Sequence, residues 1–176
     1  MPMTYRMVRR RRRSSETDYV KRVKELKGGV PRLVVRKSNR GIITQIIKYE
    51  ENGDKVAAVA NSSELKAMGW EPRCNIPTAY LTGMLLAKKF KGEANLDIGL
   101  AKPVQGSVVF AAAKGAQDGG LKLNGNIEIK PERISGSHIA SYSKTVPARF
   151  GGYSKAGFDP VKIKEKFEEV KGRIMK

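Results

Sequence analysis

Between residues 31 and 61 three short runs of mainly apolar residues are separated by two polar turns. Residues 33–36, 42–48 and 56–60 are rich in β-branched side chains. Lys37-Ser38-Asn39-Arg40-Gly41 and Glu50-Glu51-Asn52-Gly53-Asp54 between them have the composition of turns. This pattern predicts an antiparallel meander of three strands. In the first strand Arg32, Val34 and Arg36 fall on one face and Leu33, Val35 and Lys37 on the other. At least one face is therefore cationic and suited to a polyanion, unless these arginines are only solvated strand ends.

Outside the meander the spacing becomes helical. Tyr19, Val23 and Leu26 form a narrow apolar stripe on a short helix capped by Ser14 or Ser15 and stopped at Gly28-Gly29, with Lys21, Arg22 and Lys24 expected outward. The arm before it, with Arg6 and then Arg9, Arg10, Arg11, Arg12 and Arg13, cannot bury its charges and is expected to stay extended or disordered until an anion orders it. A loop with one helical turn spans residues 61–70, with Trp70 at the edge of the core. A helix over residues 77–91 follows, with Asn75 as its cap and Pro77 in its first turn. A buried strand is expected at 96–101, and a second helix opened by Ser107 closes at Gly119-Gly120.

The order β-β-β-α-β-α predicts an α/β (α+β) fold. Its sheet is mixed and mainly antiparallel, with helices on one face. The uncovered face is where Arg32 and Arg36 would meet a partner. Gln45 joins them there, with Thr44 and Lys48 as further candidates, because sequence leaves the parity of the second strand open. Past Pro131 the spacing predicts a helix over 132–142 and irregular chain over 144–158. A last helix follows, capped by Asp159 and begun by Pro160, and its stripe Ile163, Phe167, Val170 and Ile174 needs a partner within the chain or outside it. The chain thus divides into an arm and short helix (1–29), a core (30–130) and a C-terminal extension (131–176).

Charge sharpens this division. Of 35 Lys and Arg against 17 Asp and Glu, residues 1–40 hold 14 and 3, residues 41–130 hold 11 and 9, and residues 131–176 hold 10 and 5. A nearly neutral body with two cationic ends fits a protein anchored on nucleic acid or, less often, on an anionic membrane. Five consecutive arginines offer planar forks for phosphate, and about eight phosphate contacts would give a log-log salt slope of roughly −6 to −7. A solvated tail, a nuclear-import patch or a transit peptide are the alternatives for this arm. In the extension, Lys144, Arg149, Phe150, Tyr153 and Lys155 interleave cations with aromatics, the mixture that grips folded RNA through phosphates and stacking, or else simply a linker.

Catalytic chemistry finds little support. Cys74 is the single cysteine and His138 the single histidine, so neither an internal disulfide nor a Cys/His metal cluster is expected, and Cys74 reads as a structural thiol. No Walker loop, G-x-S-x-G elbow or H-x-x-x-H spacing occurs. No cofactor, metal or small-molecule substrate is expected. No apolar run approaches the roughly 18 residues of a membrane span, so no membrane partner is expected either.

Several segments, in this order, closely resemble one family over nearly the whole chain. They are YRMVRRRRRSSETDY, KRVKELKGGVPRLVVRKSNRGIITQII, NIPTAYLTGMLLAKK, LDIGLAKPVQGSVVFAAAKGAQDGGL, ERISGSHIASY and RFGGYSKAGFDPVKIKEKFEEVKGRI. The family is the 5S rRNA-binding protein of the large ribosomal subunit, numbered eighteen in bacteria and archaea and five in eukaryotes. The extension from about Pro131 resembles the archaeal and eukaryotic version. The resemblance implies a cytoplasmic, ribosomal protein that docks 5S rRNA at the central protuberance without catalysis, beside 23S-type rRNA and neighbouring large-subunit proteins. It also implies RNA contacts at Arg6, Arg9 to Arg13, Arg32, Arg36, Lys37, Ser38, Asn39 and Arg40, with the RFGGY stretch (Arg149, Phe150, Tyr153) as a further contact. Arg22 and Gln45 complete the candidate set from the residue reading.

Overall fold

The computed structural model describes residues 7–8, 10–14 and 16–175. Helix α1 (Arg10–Arg13) is a single turn closed by Ser14, whose N–H and hydroxyl both donate to the Arg10 carbonyl. Arg10–Arg13 is thus helical where an extended or disordered arm was expected, as arginine is a good helix former and the turn costs it no buried charge. Helix α2 (Tyr19–Leu26) is capped by Asp18, not by Ser14 or Ser15; the Asp18 carboxylate accepts from the Val20 and Lys21 N–H groups.

Strands β1 (Arg32–Lys37), β2 (Ile42–Lys48) and β3 (Lys55–Asn61) form the expected meander. A 3₁₀ helix, Ser62–Met68, with an Asn61/Glu64 capping box leads to α3 (Ile76–Lys89), which Asn75 caps by accepting from Thr78 N–H. Strand β4 (Glu93–Asp97) lies earlier than the expected 96–101, because Asp97 turns the chain by accepting from Gly99 N–H. Helix α4 (Val108–Asp118) and β5 (Lys122–Leu123) complete the sheet, whose order is β3-β2-β1-β4-β5. The β1–β2 and β2–β3 pairs are antiparallel, while β4 pairs parallel with β1 and β5 with β4.

Leu33, Val35, Ile42, Thr44 and Ile46 turn to the face covered by α3 and α4 and are all within 1% of complete burial. Thr44 therefore points inward, donating to the Ala60 carbonyl, and does not join the outer face. Helices α3 and α4 cross with their backbones almost touching. A Cβ at Gly83 would lie 1.9 Å from the Ala112 carbonyl oxygen, and one at Gly115 would lie 2.0 Å from that of Tyr80.

The extension is more regular than expected. The predicted helix 132–142 is two helices, α5 (Pro131–Ser135) and α6 (Ser137–Thr145), separated because Gly136 adopts a left-handed φ of 80°. The Gly- and Pro-rich stretch folds into a 3₁₀ turn, Pro147–Phe150, and α7 (Gly151–Lys155). Asp159 caps the turn Pro160–Lys162, which runs into α8 (Ile163–Met175). The stripe Ile163, Phe167, Val170 and Ile174 finds its partner inside the chain: all four are buried, α8 packs on α3, and Phe167 meets the rings of Trp70 and Tyr80. Trp70 is fully enclosed, with its indole N–H donating to Thr78 Oγ1 at 2.9 Å.

Candidate nucleic-acid interface

The arginines of the expected interface separate into two groups that differ in what neutralises them. The first group is a ladder of alternating charge across the face of the sheet away from α3 and α4. Arg22 of α2 reaches Asp54 at 2.7 Å, Arg32 bridges Asp54 (2.8 Å) and Asp97 (2.9 Å), and Arg36 holds Asp97 at 3.0 Å. The parallel register places Asp97 beside Val34, on the same face as Arg32 and Arg36. Burial alone would push the Asp97 carboxyl up, but the Arg36 charge, the Gly99 N–H and Arg32 outweigh it and hold the group below the ordinary carboxylate range.

This ladder corrects the expectation of an open cationic face. Arg32 is only 4% exposed and its guanidinium is committed to two carboxylates, so it holds β1 to the β2–β3 turn and to β4. Arg22 and Lys21 point inward, the lysine donating to the Gly99 carbonyl, and α2 docks through these polar contacts while Val20 and Val23 remain exposed. Arg36 is half exposed, yet it also donates to the Val35 and Asp97 carbonyls. Further along the same face the surface is apolar: Gln45 pairs with Val59, which is exposed, as is Ile43.

The second group is unneutralised. Lys37, Arg40 and Arg149 are exposed and form no ion pair with any described residue. The same holds for Arg10, Arg11 and Arg13 of the arm, although Arg13 donates to Met7 Sδ. Arg6 and Arg9 lie outside the described residues, as does the Arg12 side chain. In the hairpin between β1 and β2, Ser38 is a turn builder. Its hydroxyl accepts from the Arg40 and Gly41 N–H groups and donates to the Gly41 carbonyl, which leaves Lys37, Asn39 and Arg40 to project outward.

The fold brings this hairpin against the C-terminal extension, more than a hundred residues away in sequence. Asn39 lines one cleft with Cys74, Ile139, Arg149, Phe150, Gly152 and Tyr153, and its neighbouring surface runs on to Arg40 on one side and Lys37 on the other. The loop before α3 joins the two halves. Arg73 donates to the Gly152 carbonyl and lies over the Tyr153 ring, 5.3 Å from its centre, and Asn75 Nδ2 donates to the Tyr153 hydroxyl at 2.8 Å.

Tyr153 is therefore not an open stacking residue. Its ring is buried, and burial pushes its hydroxyl up to about 12 despite the nearby Arg73 charge and the Asn75 hydrogen bond. Phe150 keeps the more open ring, nearly parallel to Tyr153 at 6.2 Å and edge-on to the exposed Tyr142 at 5.9 Å. Sequence reasoning missed Arg73 and Tyr142. A lone arginine in a loop carries no periodic signal, and only its place just before the Asn75 cap hinted at a fixed position.

Among the described residues no group of His, Cys, Asp and Glu is placed to hold a metal, and no helix is long and apolar enough to cross a membrane. The sequence model described as "Ribosomal large subunit proteins 60S L5, and 50S L18" matches residues 3–95. The chain is also 46% identical to the "Large ribosomal subunit protein uL18" of Thermofilum pendens, over 97% of this chain and 94% of that protein. A two-layer α/β body with unpaired cations along one rim, matched over more than half its length by the family's pattern and nearly end to end by one member, belongs to the uL18 family of large-subunit ribosomal proteins.

Proposed function

We propose that this structural constituent of the large ribosomal subunit binds 5S rRNA and helps attach it at the central protuberance, without catalysis. Large-subunit rRNA of the 23S type and neighbouring ribosomal proteins are its further partners. One observation carries the reading: Lys37, Arg40 and Arg149 stay exposed and unpaired on adjoining surfaces that share Asn39, although the same protein neutralises its sheet arginines with Asp54 and Asp97. Exposed cations held on a rigid hairpin are positioned for phosphate, while the aromatic edge beside them favours RNA over an anionic membrane.

Fluorescence anisotropy of transcribed 5S rRNA with the full chain, against an unrelated RNA of equal length, tests this. A clear preference for 5S rRNA is expected, weakened by Arg40→Ala and, to a smaller extent, by Arg36→Ala, whose guanidinium is half exposed but already paired with Asp97. Deleting residues 1–13 should make the salt dependence shallower. Equal affinity for both RNAs, at every salt concentration, would overturn the assignment.

A further inference from the structure

We infer that the cleft between the β1–β2 hairpin and the α6–α7 segment receives one unstacked nucleotide of RNA, with its base against Phe150 and its flanking phosphates toward Arg149 and the Lys37/Arg40 hairpin. This rests on the reading above that the chain binds ribosomal RNA, and it specifies what one part of that surface takes. The cleft has a volume of about 400 Å³, within the range of sites that hold a small molecule, and it opens broadly to solvent. Its walls are of two kinds. Ile139 and Phe150 offer an apolar, partly aromatic surface with no use for a phosphate, whereas Asn39, Arg73 and Arg149 offer hydrogen-bond donors.

A ring can stack only on a base whose neighbour has left it, so an aromatic wall inside a cationic cleft selects unpaired chain. Asn39 is the common member of the cleft and its two extensions, and its side-chain amide makes no hydrogen bond to any described residue, leaving both a donor and an acceptor for a base edge. The carboxylate nearest this surface, Glu71, lies 3.5 Å from Arg73, which leaves the rim positive. Tyr153 and Asn75 brace the wall from behind, so Phe150 is held before a ligand arrives.

The chain's single cysteine lines the same cleft and reports on it directly. The rate of Cys74 alkylation by N-ethylmaleimide should fall about tenfold when the full-length protein is saturated with a mixed-sequence single-stranded RNA of about eight nucleotides. The same RNA annealed to its complement, although bound by anisotropy, should leave the rate unchanged, as should a polyglutamate peptide of equal charge. Phe150→Leu keeps apolar volume but loses the stack, and should weaken single-strand binding about tenfold with duplex binding intact, while Phe150→Tyr should restore it. Equal protection by duplex, or protection by polyglutamate, overturns the inference. If 5S rRNA binds yet neither it nor the single strand slows alkylation, the cleft assignment fails and 5S binding stands. If 5S rRNA does not bind at all, the 5S reading fails, and protection by the single strand still decides the cleft.

Discussion

Replacing Arg32 with alanine separates a structural arginine from an RNA-facing one. The side chain is 4% exposed and bridges Asp54 and Asp97, whose own side chains are 23% and 8% exposed. Removing one partner of a buried ion pair typically costs about 3–5 kcal/mol, because the remaining charge stays buried without compensation. Here the loss is tempered, since Asp97 retains Arg36 and Asp54 retains Arg22. A cost of about 2–3 kcal/mol follows, which for a chain of this length lowers the melting temperature by roughly 4–12 °C. Arg40→Ala, on an exposed and unpaired side chain, should shift stability by no more than about 0.5 kcal/mol. RNA binding should rank the other way. Measured well below both melting temperatures, Arg40→Ala should reduce the salt slope by about one and Arg32→Ala should leave it unchanged. Calorimetric melts paired with anisotropy titrations over a salt series provide both readings. An Arg32→Ala protein that melts like the parent and loses one unit of slope would refute the assignment of this guanidinium to the protein interior.

Acid titration should report on the same ladder. The Asp97 carboxyl is held below its ordinary value of 3.8, so its contribution is fully present above that value and is lost as pH falls through the lower folded one; Asp97→Asn should flatten that part of the acid-unfolding curve measured by circular dichroism. Gly83→Ala would place a methyl group against the Ala112 carbonyl, and a loss of about 1–3 kcal/mol or more is expected in urea titrations, with the denaturant dependence itself unchanged. Phe167→Ala should remove about 3–5 kcal/mol and raise the fluorescence accessibility of Trp70 to a soluble quencher, as its ring is one of those that enclose the indole.

The meander was legible because β-branched runs are bounded by polar turns, and the principal helices because their apolar positions repeat at about 3.6 and Asn75, Asp159 and the Gly119-Gly120 pair are strong local signals. The last helix was legible for the same reason, although its partner was not: a stripe announces that it will be covered without naming what covers it. Three features escaped. Asp54 and Asp97 are ordinary acidic residues in a turn and at a strand end, and only the fold brings both to Arg32. The helix expected over 132–142 runs through Gly136, whose left-handed backbone makes two. The partnership of Asn39 with Phe150 joins distant segments through Arg73, and no local pattern encodes such a meeting.

Helix α8 has a consequence for how the protein comes into being. Synthesis runs from the amino terminus, so α8 emerges last of the described elements, yet it covers Trp70 and Tyr80, which emerge about a hundred residues before it. Until then a growing chain has its cationic arm and meander free while a greasy patch on α3 lies bare. Nascent molecules stalled short of residue 163 should therefore be sticky, and a holdase that masks this patch would have its strongest claim during that interval.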